Sequence, residues 1–320
     1  MKEKISNALS IIIPLLLGLG LMWYSYNSFT EKQLEEMKGY FVSADYNYVF
    51  FSLIFALLGY VLRAYRWKYT LTQIGYKPKF NTNFLAISIG YFVNLAIPRS
   101  GEVSRALILK KYQNVPFGKA FGTIIAERIV DFIILLLFIF VSLIIEFETL
   151  KGFLLFYIPI DKIVMLLVIG SIVFMVCVYF YFYSNHKLIL GIKLKISGLK
   201  EGALSIYKMP YKWQFLGYTL LIWFSYVLMF YVTTLALKET SHITFGTALV
   251  AFVIGSLTIA FTNGGFGFFP ILIAKILFLY HIPLEAGNAF GWIVWTSQLI
   301  ITVFLGLMSF LLLPIITRKK

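Results

Sequence analysis

The residues best placed to do chemistry in this chain are arginines and carboxylates set beside helix breakers in otherwise apolar sequence. The densest group is Asn94, Pro98, Arg99, Gly101, Glu102 and Arg105. Pro98 and Gly101 interrupt a helix and free its backbone groups. A new helix starting near Gly101–Glu102 would turn unpaired N–H groups toward an anion. Arg99 and Arg105 add full charges, and a guanidinium grips phosphate through two parallel hydrogen bonds. A second group is Glu127, Arg128 and Asp131. Glu127 and Asp131 stand four residues apart and share a helix face. Ionisable groups inside an apolar span pair with one another and face the bundle interior or a water-filled cavity. This group therefore reads either as a ligand or proton site or as a structural ion network in which Glu102 meets Arg128.

Arg63 and Arg66 join the candidates for an anionic headgroup, beside Trp67, which reads as an interface anchor. A last feature is Asn263-Gly264-Gly265-Phe266-Gly267, where glycines break a long apolar run and Pro270 follows. Lys275 lies just beyond it, and Gln298 in the last span reads as an interhelical hydrogen-bond partner.

The chemistry these residues suit is anion binding. No Ser/His/Asp set, P-loop or acidic metal motif is present. The three histidines, His186, His242 and His281, are scattered without ligand spacing, and Cys177 stands alone in an apolar run. Neither an enzyme, a metal nor a cofactor is expected.

The elements that must position these groups are membrane helices. Of 320 residues 60% are hydrophobic and 13% charged, against roughly a quarter charged in soluble domains. A spanning helix needs about 20 mostly apolar residues, and segments 7–26, 47–62, 118–145, 162–183, 214–237 and 289–316 qualify. The first begins after a short charged N-terminus and is followed by no small-residue cleavage site, so it reads as a retained span. The net charge of +14 sits in loops between spans, where orientation and anionic headgroups account for it and nucleic acid does not. Segments 63–82, 98–119 and 184–212 and the C-terminus are basic. The opposite loops carry Glu31, Glu35, Glu36, Asp45, Glu146, Glu148, Asp161 and Glu239. Both termini are therefore expected in the cytoplasm.

Two basic flanks on one side require the short apolar run 84–97 to enter and return, turning near Pro98–Gly101. Segment 244–281 must likewise start and end on the outer side, turning at Asn263–Gly267. It is either a second re-entrant hairpin or two ordinary spans. The expected fold is an all-α integral membrane protein, a single membrane domain over 1–320. It has about six full spans and two re-entrant hairpins, or eight spans if the second hairpin crosses. Halves 1–150 and 160–320 have the order of an inverted-topology repeat, whose interrupted segments mark a site near the bilayer midplane.

The motifs RAYRW (63–67), N…PRSGEVSR (94–105), AERIVD (126–131) and NGGFG (263–267) together resemble the lysylphosphatidylglycerol synthase transmembrane-region family, also called the flippase-like or UPF0104 family. The resemblance implies movement of lipids between leaflets. In the multiple peptide resistance factor this region is credited with moving aminoacylated phosphatidylglycerol, and some members are linked to polyprenyl-phosphate sugar lipids. Two departures stand out. The chain ends at Lys320 without a synthase domain, which argues against lipid aminoacylation. Asn263 and Pro270 replace the proline and acid that often flank the family's glycines.

The expectation is a flippase or transporter of an anionic phospholipid or polyprenyl-phosphate-linked lipid in the cell (inner) membrane. The alternative is a membrane-embedded enzyme, or enzyme subunit, acting on a lipid-linked sugar. Anionic membrane lipids are the expected partners; a homo-oligomer or a lipid-modifying enzyme partner is left open.

Overall fold

A computed structural model describes residues 29–97, 99–149, 160–184, 206–262 and 264–317, with isolated positions outside these stretches such as Trp23. Most of the expected first span, Pro98, Asn263 and much of 184–212 lie outside the described residues. The described chain is helical: α1 (Glu31–Ser43), α2 (Tyr46–Gln73), α3 (Phe80–Ala96), α4 (Ser100–Gln113), α5 (Phe117–Ile145), α6 (Ile160–Tyr183), α7 (Lys212–Thr234), α8 (Phe245–Phe261), α9 (Phe268–Phe278) and α10 (Leu284–Ile316). Among the described residues, α2, α5, α7 and α10 are long and apolar enough to cross a membrane. The protein is an all-α, multi-pass membrane protein.

The bundle has two chemically distinct ends. Lys77, Lys79, Lys110, Lys111 and Lys119 cluster where α2 ends, where α3 and α5 begin and where α4 ends; Glu146, Glu239 and Glu285 lie at the other end. At the acidic end the Asp45 N–H donates to the Ala236 carbonyl at 2.8 Å, joining the start of α2 to the end of α7. There too the amphipathic α1 is opened by a Thr30–Gln33 capping box, and Gln33 donates to Glu285.

The two short-helix pairs are hairpins, as the sequence anticipates. α3 starts at the basic end and α4 returns to it; α8 starts at the acidic end and α9 returns there. Helices in lipid gain little from hydrophobicity alone, because the tails are as apolar as leucine, so small residues at close crossings matter most. In the first hairpin Gly101 packs directly on the Gly90 carbonyl, where a Cβ would collide. Its N–H donates to the Asn94 side chain at 2.7 Å, so Asn94 caps the turn. The hairpin turns through Arg99, a left-handed residue at φ 61°. The second turns through Gly264, Gly265 and Gly267, all at positive φ, which glycine adopts without steric cost.

α3 packs on α10, α8 packs on α5, and α2 packs along α7, so each hairpin lies against the long helix of the other half. The local chain also recurs. Asn114 (φ 54°) precedes Val115-Pro116, and His281 (φ 64°) precedes Ile282-Pro283. Ala120-Phe121-Gly122 and Ala289-Phe290-Gly291 follow in turn. The described side chains of α6 are largely exposed apolar groups, Met165, Val168, Ile169 and Ile172 among them, as lipid contact requires.

One boundary differs from the sequence reading. The span expected to close at residue 62 continues as α2 to Gln73, so Arg63, Arg66 and Trp67 lie inside the bundle and not in a basic loop or at an interface. Trp67 and Arg66 are wholly buried. A hydropathy window ends at the first arginine; the helix does not, because its arginines find carboxylates on α5.

Candidate functional site

α2, α4 and α5 converge on one buried ion cluster. Asp131 on α5 is its hub. It accepts from Arg63 Nη1 at 2.9 Å and from Arg66 Nη1 and Nη2 at 2.6 and 3.1 Å. The arginines stand on successive turns of one face of α2, so both reach the same carboxylate. Arg66 also donates to Thr219 of α7 at 3.2 Å and lies 3.8 Å from Glu127. Glu127, one turn before Asp131, accepts from Arg105 of α4 at 3.1 Å. Arg105 lies 4.1 Å above the Trp67 ring, and the Trp67 indole N–H donates to Thr123 at 3.0 Å. The tryptophan is thus a cation–π floor for an arginine from the hairpin.

A second pair extends the cluster. Arg128 donates through Nε and Nη2 to one oxygen of Glu102 at 2.9 and 2.6 Å, tying α5 to the start of α4. Both ion-pair connections between hairpin and α5 are therefore made by residues that the sequence picks out. Arg128 differs from the rest in its surroundings. Its side chain is 37% exposed, whereas that of Arg66 is 0% exposed. Yet Arg128 stands about 17 Å along α5 from its basic end, at 1.5 Å per residue. Arg128 is thus the least enclosed of the four arginine side chains in the cluster.

Four guanidiniums face three carboxylates, which leaves one uncompensated positive charge. Four buried polar atoms also lack a hydrogen-bond partner: Glu102 Oε2, Glu127 Oε1, Arg66 Nε and Arg105 Nε. An uncompensated charge and open donors in a low-dielectric interior are costly unless a counter-charge arrives. The arrangement can bind one anionic group, and Arg128 is the donor it would reach.

Arg99 is exposed at the hairpin turn and makes no ion pair with a described residue. Of the residues expected near it, Glu102 pairs with Arg128 and Glu127 with Arg105. Gly264, Gly265 and Gly267 form the other hairpin turn, where the Trp295 indole donates to the Gly264 carbonyl at 2.9 Å. Lys275 is exposed on α9. Sequence reasoning missed three contributors: Tyr226 of α7, which accepts from Arg63 Nε at 2.7 Å, Thr219 and Thr123. The visible signal was only that hydroxyls recur in apolar spans.

The sequence matches the lysylphosphatidylglycerol synthase TM region family over residues 11–315. A UPF0104 membrane protein of Methanocaldococcus jannaschii is 32% identical over 142 residues, 43% of this chain and 40% of that protein. Glycosyltransferase AglD of Haloferax volcanii is 30% identical over 89 residues, 28% of this chain and 14% of that protein. The matches thus span less than half the length of either relative. No solved structure matches the chain.

Proposed function

The chain belongs to the lysylphosphatidylglycerol synthase TM region family, and from that premise we propose that it moves an anionic phospholipid or polyprenyl-phosphate-linked lipid between leaflets. The observation that carries this reading is Arg128, partly exposed deep along its helix within a cluster bearing one excess positive charge. The lipid phosphate enters from the basic end, takes up that charge and competes with Glu102 for Arg128. Arg99, at the hairpin turn beyond Arg128 as seen from the basic end, receives the phosphate next. The two halves act as inverted repeats, each hairpin resting on the other half's long helix. The Lys/Arg asymmetry supports a cell-membrane protein with its basic end and both termini on the cytoplasmic side.

The test is a leaflet-resolved assay. Purified protein is reconstituted with fluorescent phosphatidylglycerol, and the outer leaflet is bleached with dithionite. Transfer well above protein-free vesicles supports the reading, and equal rates contradict it. The partial match to a protein named as a glycosyltransferase favours a second reading, an enzyme subunit acting on a lipid-linked sugar. Turnover of such a donor by the purified protein, without leaflet transfer, would select it.

A further inference from the structure

The ion cluster does not end at Arg63. Tyr226, which accepts from Arg63 Nε, comes from α7. The Arg63 guanidinium carbon lies 5.9 Å from the ring centre of Tyr91 on α3 and 5.5 Å from that of Tyr226. The Tyr91 ring stands edge-on to Tyr60 of α2 at 5.1 Å, and the Tyr60 hydroxyl pairs with Thr302 of α10 at 3.0 Å. On α10, Gln298 and Trp295 share a face with Thr302 one and two turns toward the acidic end. Trp295 in turn donates to the Gly264 carbonyl in the second hairpin turn. A line of polar groups, drawn from both halves, runs from the arginine cluster toward the opposite hairpin.

We infer that this line is the route of the headgroup, and that the Tyr60–Thr302 contact closes it near mid-height; the inference rests on the transport reading above. Tyr60 and Thr302 lie near the midpoints of their helices, about 20–27 Å from either end. Polar side chains at that depth face the bundle interior or a water-filled path. The line holds hydroxyls, an amide and an indole, with no full charge beyond Arg63. A path needs sites strong enough to admit its cargo and weak enough to release it. The arginine cluster supplies the first kind and the uncharged line the second.

The experiment uses full-length protein with Cys177→Ser and one new cysteine, Thr302→Cys. A matched control carries Phe304→Cys on the exposed face of α10. Both are treated in proteoliposomes with a sulfonated methanethiosulfonate. Thr302→Cys should react at least about tenfold faster, because the reactive thiolate forms only where water reaches it. Its modification should slow phosphatidylglycerol transfer about fivefold or more, while modification of Phe304→Cys leaves transfer unchanged, since only the first blocks the polar path. Equal labelling overturns the route outright, and selective labelling with unimpaired transfer overturns it as the path of the cargo. Unmodified protein that moves no phosphatidylglycerol overturns the transport reading instead, an outcome seen before any label is added. Tyr60→Phe removes only a hydroxyl and provides a second variant. It should raise the labelling rate at Thr302→Cys, and an unchanged rate would overturn the closure.

Discussion

At the scale of single residues, the arginines divide into two kinds. Arg63 and Arg66 share Asp131, and all three are buried, with Arg66 fully enclosed. Asp131→Asn leaves two guanidiniums without their countercharge, and breaking a buried pair costs about 3–5 kcal/mol. The expected result is a large fall in thermal stability in detergent, read by the loss of monodisperse protein on heating. Arg128 is partly exposed, so Arg128→Ala should leave the melting temperature nearly unchanged while transfer falls. Arg99→Ala should behave likewise, because Arg99 supports no described ion pair. Arg99→Lys should restore only part of the rate, since an ammonium lacks the guanidinium's planar fork. An Arg99→Ala protein that unfolds would place that residue in the framework instead.

At the scale of elements, the two hairpins rest on glycines for different reasons. Gly101 is needed for space, since any side chain there meets the Gly90 carbonyl. Gly101→Leu should therefore separate α3 from α4, displace Glu102 and Arg105 from α5, and abolish both folded yield and transfer. Gly265 is needed for its backbone, φ 79°. Gly265→Val should cost about 1–3 kcal/mol of strain in the left-handed region, visible as a lower melting temperature with the arginine cluster intact. These breaks were legible in the sequence, because Pro98-Arg99-Ser100-Gly101 and Gly264-Gly265-Phe266-Gly267 are local signals. The course of α2 past residue 62 was not. Its polar turns are acceptable only because Asp131, far along the chain, neutralises them, and no local window contains that partner. For the same reason the Arg128–Glu102 pair could be anticipated but the Arg105–Glu127 pair not assigned, and nothing marked Tyr226 as a neighbour of Arg63 or Thr302 as a neighbour of Tyr60.

At the scale of the whole molecule, charge and apolar length together imply a chain with a basic and an acidic end. The bundle has this form, with Asp45, Glu146 and Glu285 gathered at one end and the lysines of α4 and α5 at the other. Placing the basic end in the cytoplasm predicts that Leu190→Cys, in a Cys177→Ser background, stays unlabelled by an impermeant maleimide in intact cells and reacts once the membrane is opened. The central claim is that a deep, partly open arginine cluster carries a lipid phosphate across the bilayer. Its most direct test is the transfer of fluorescent phosphatidylglycerol by wild-type, Arg128→Ala and Arg128→Lys proteins, reconstituted at matched, folded amounts. The account predicts transfer by the wild type, loss of about tenfold or more in Arg128→Ala, as expected when a charge-assisted phosphate contact is removed, and partial recovery in Arg128→Lys. Transfer that proceeds equally in all three would contradict it.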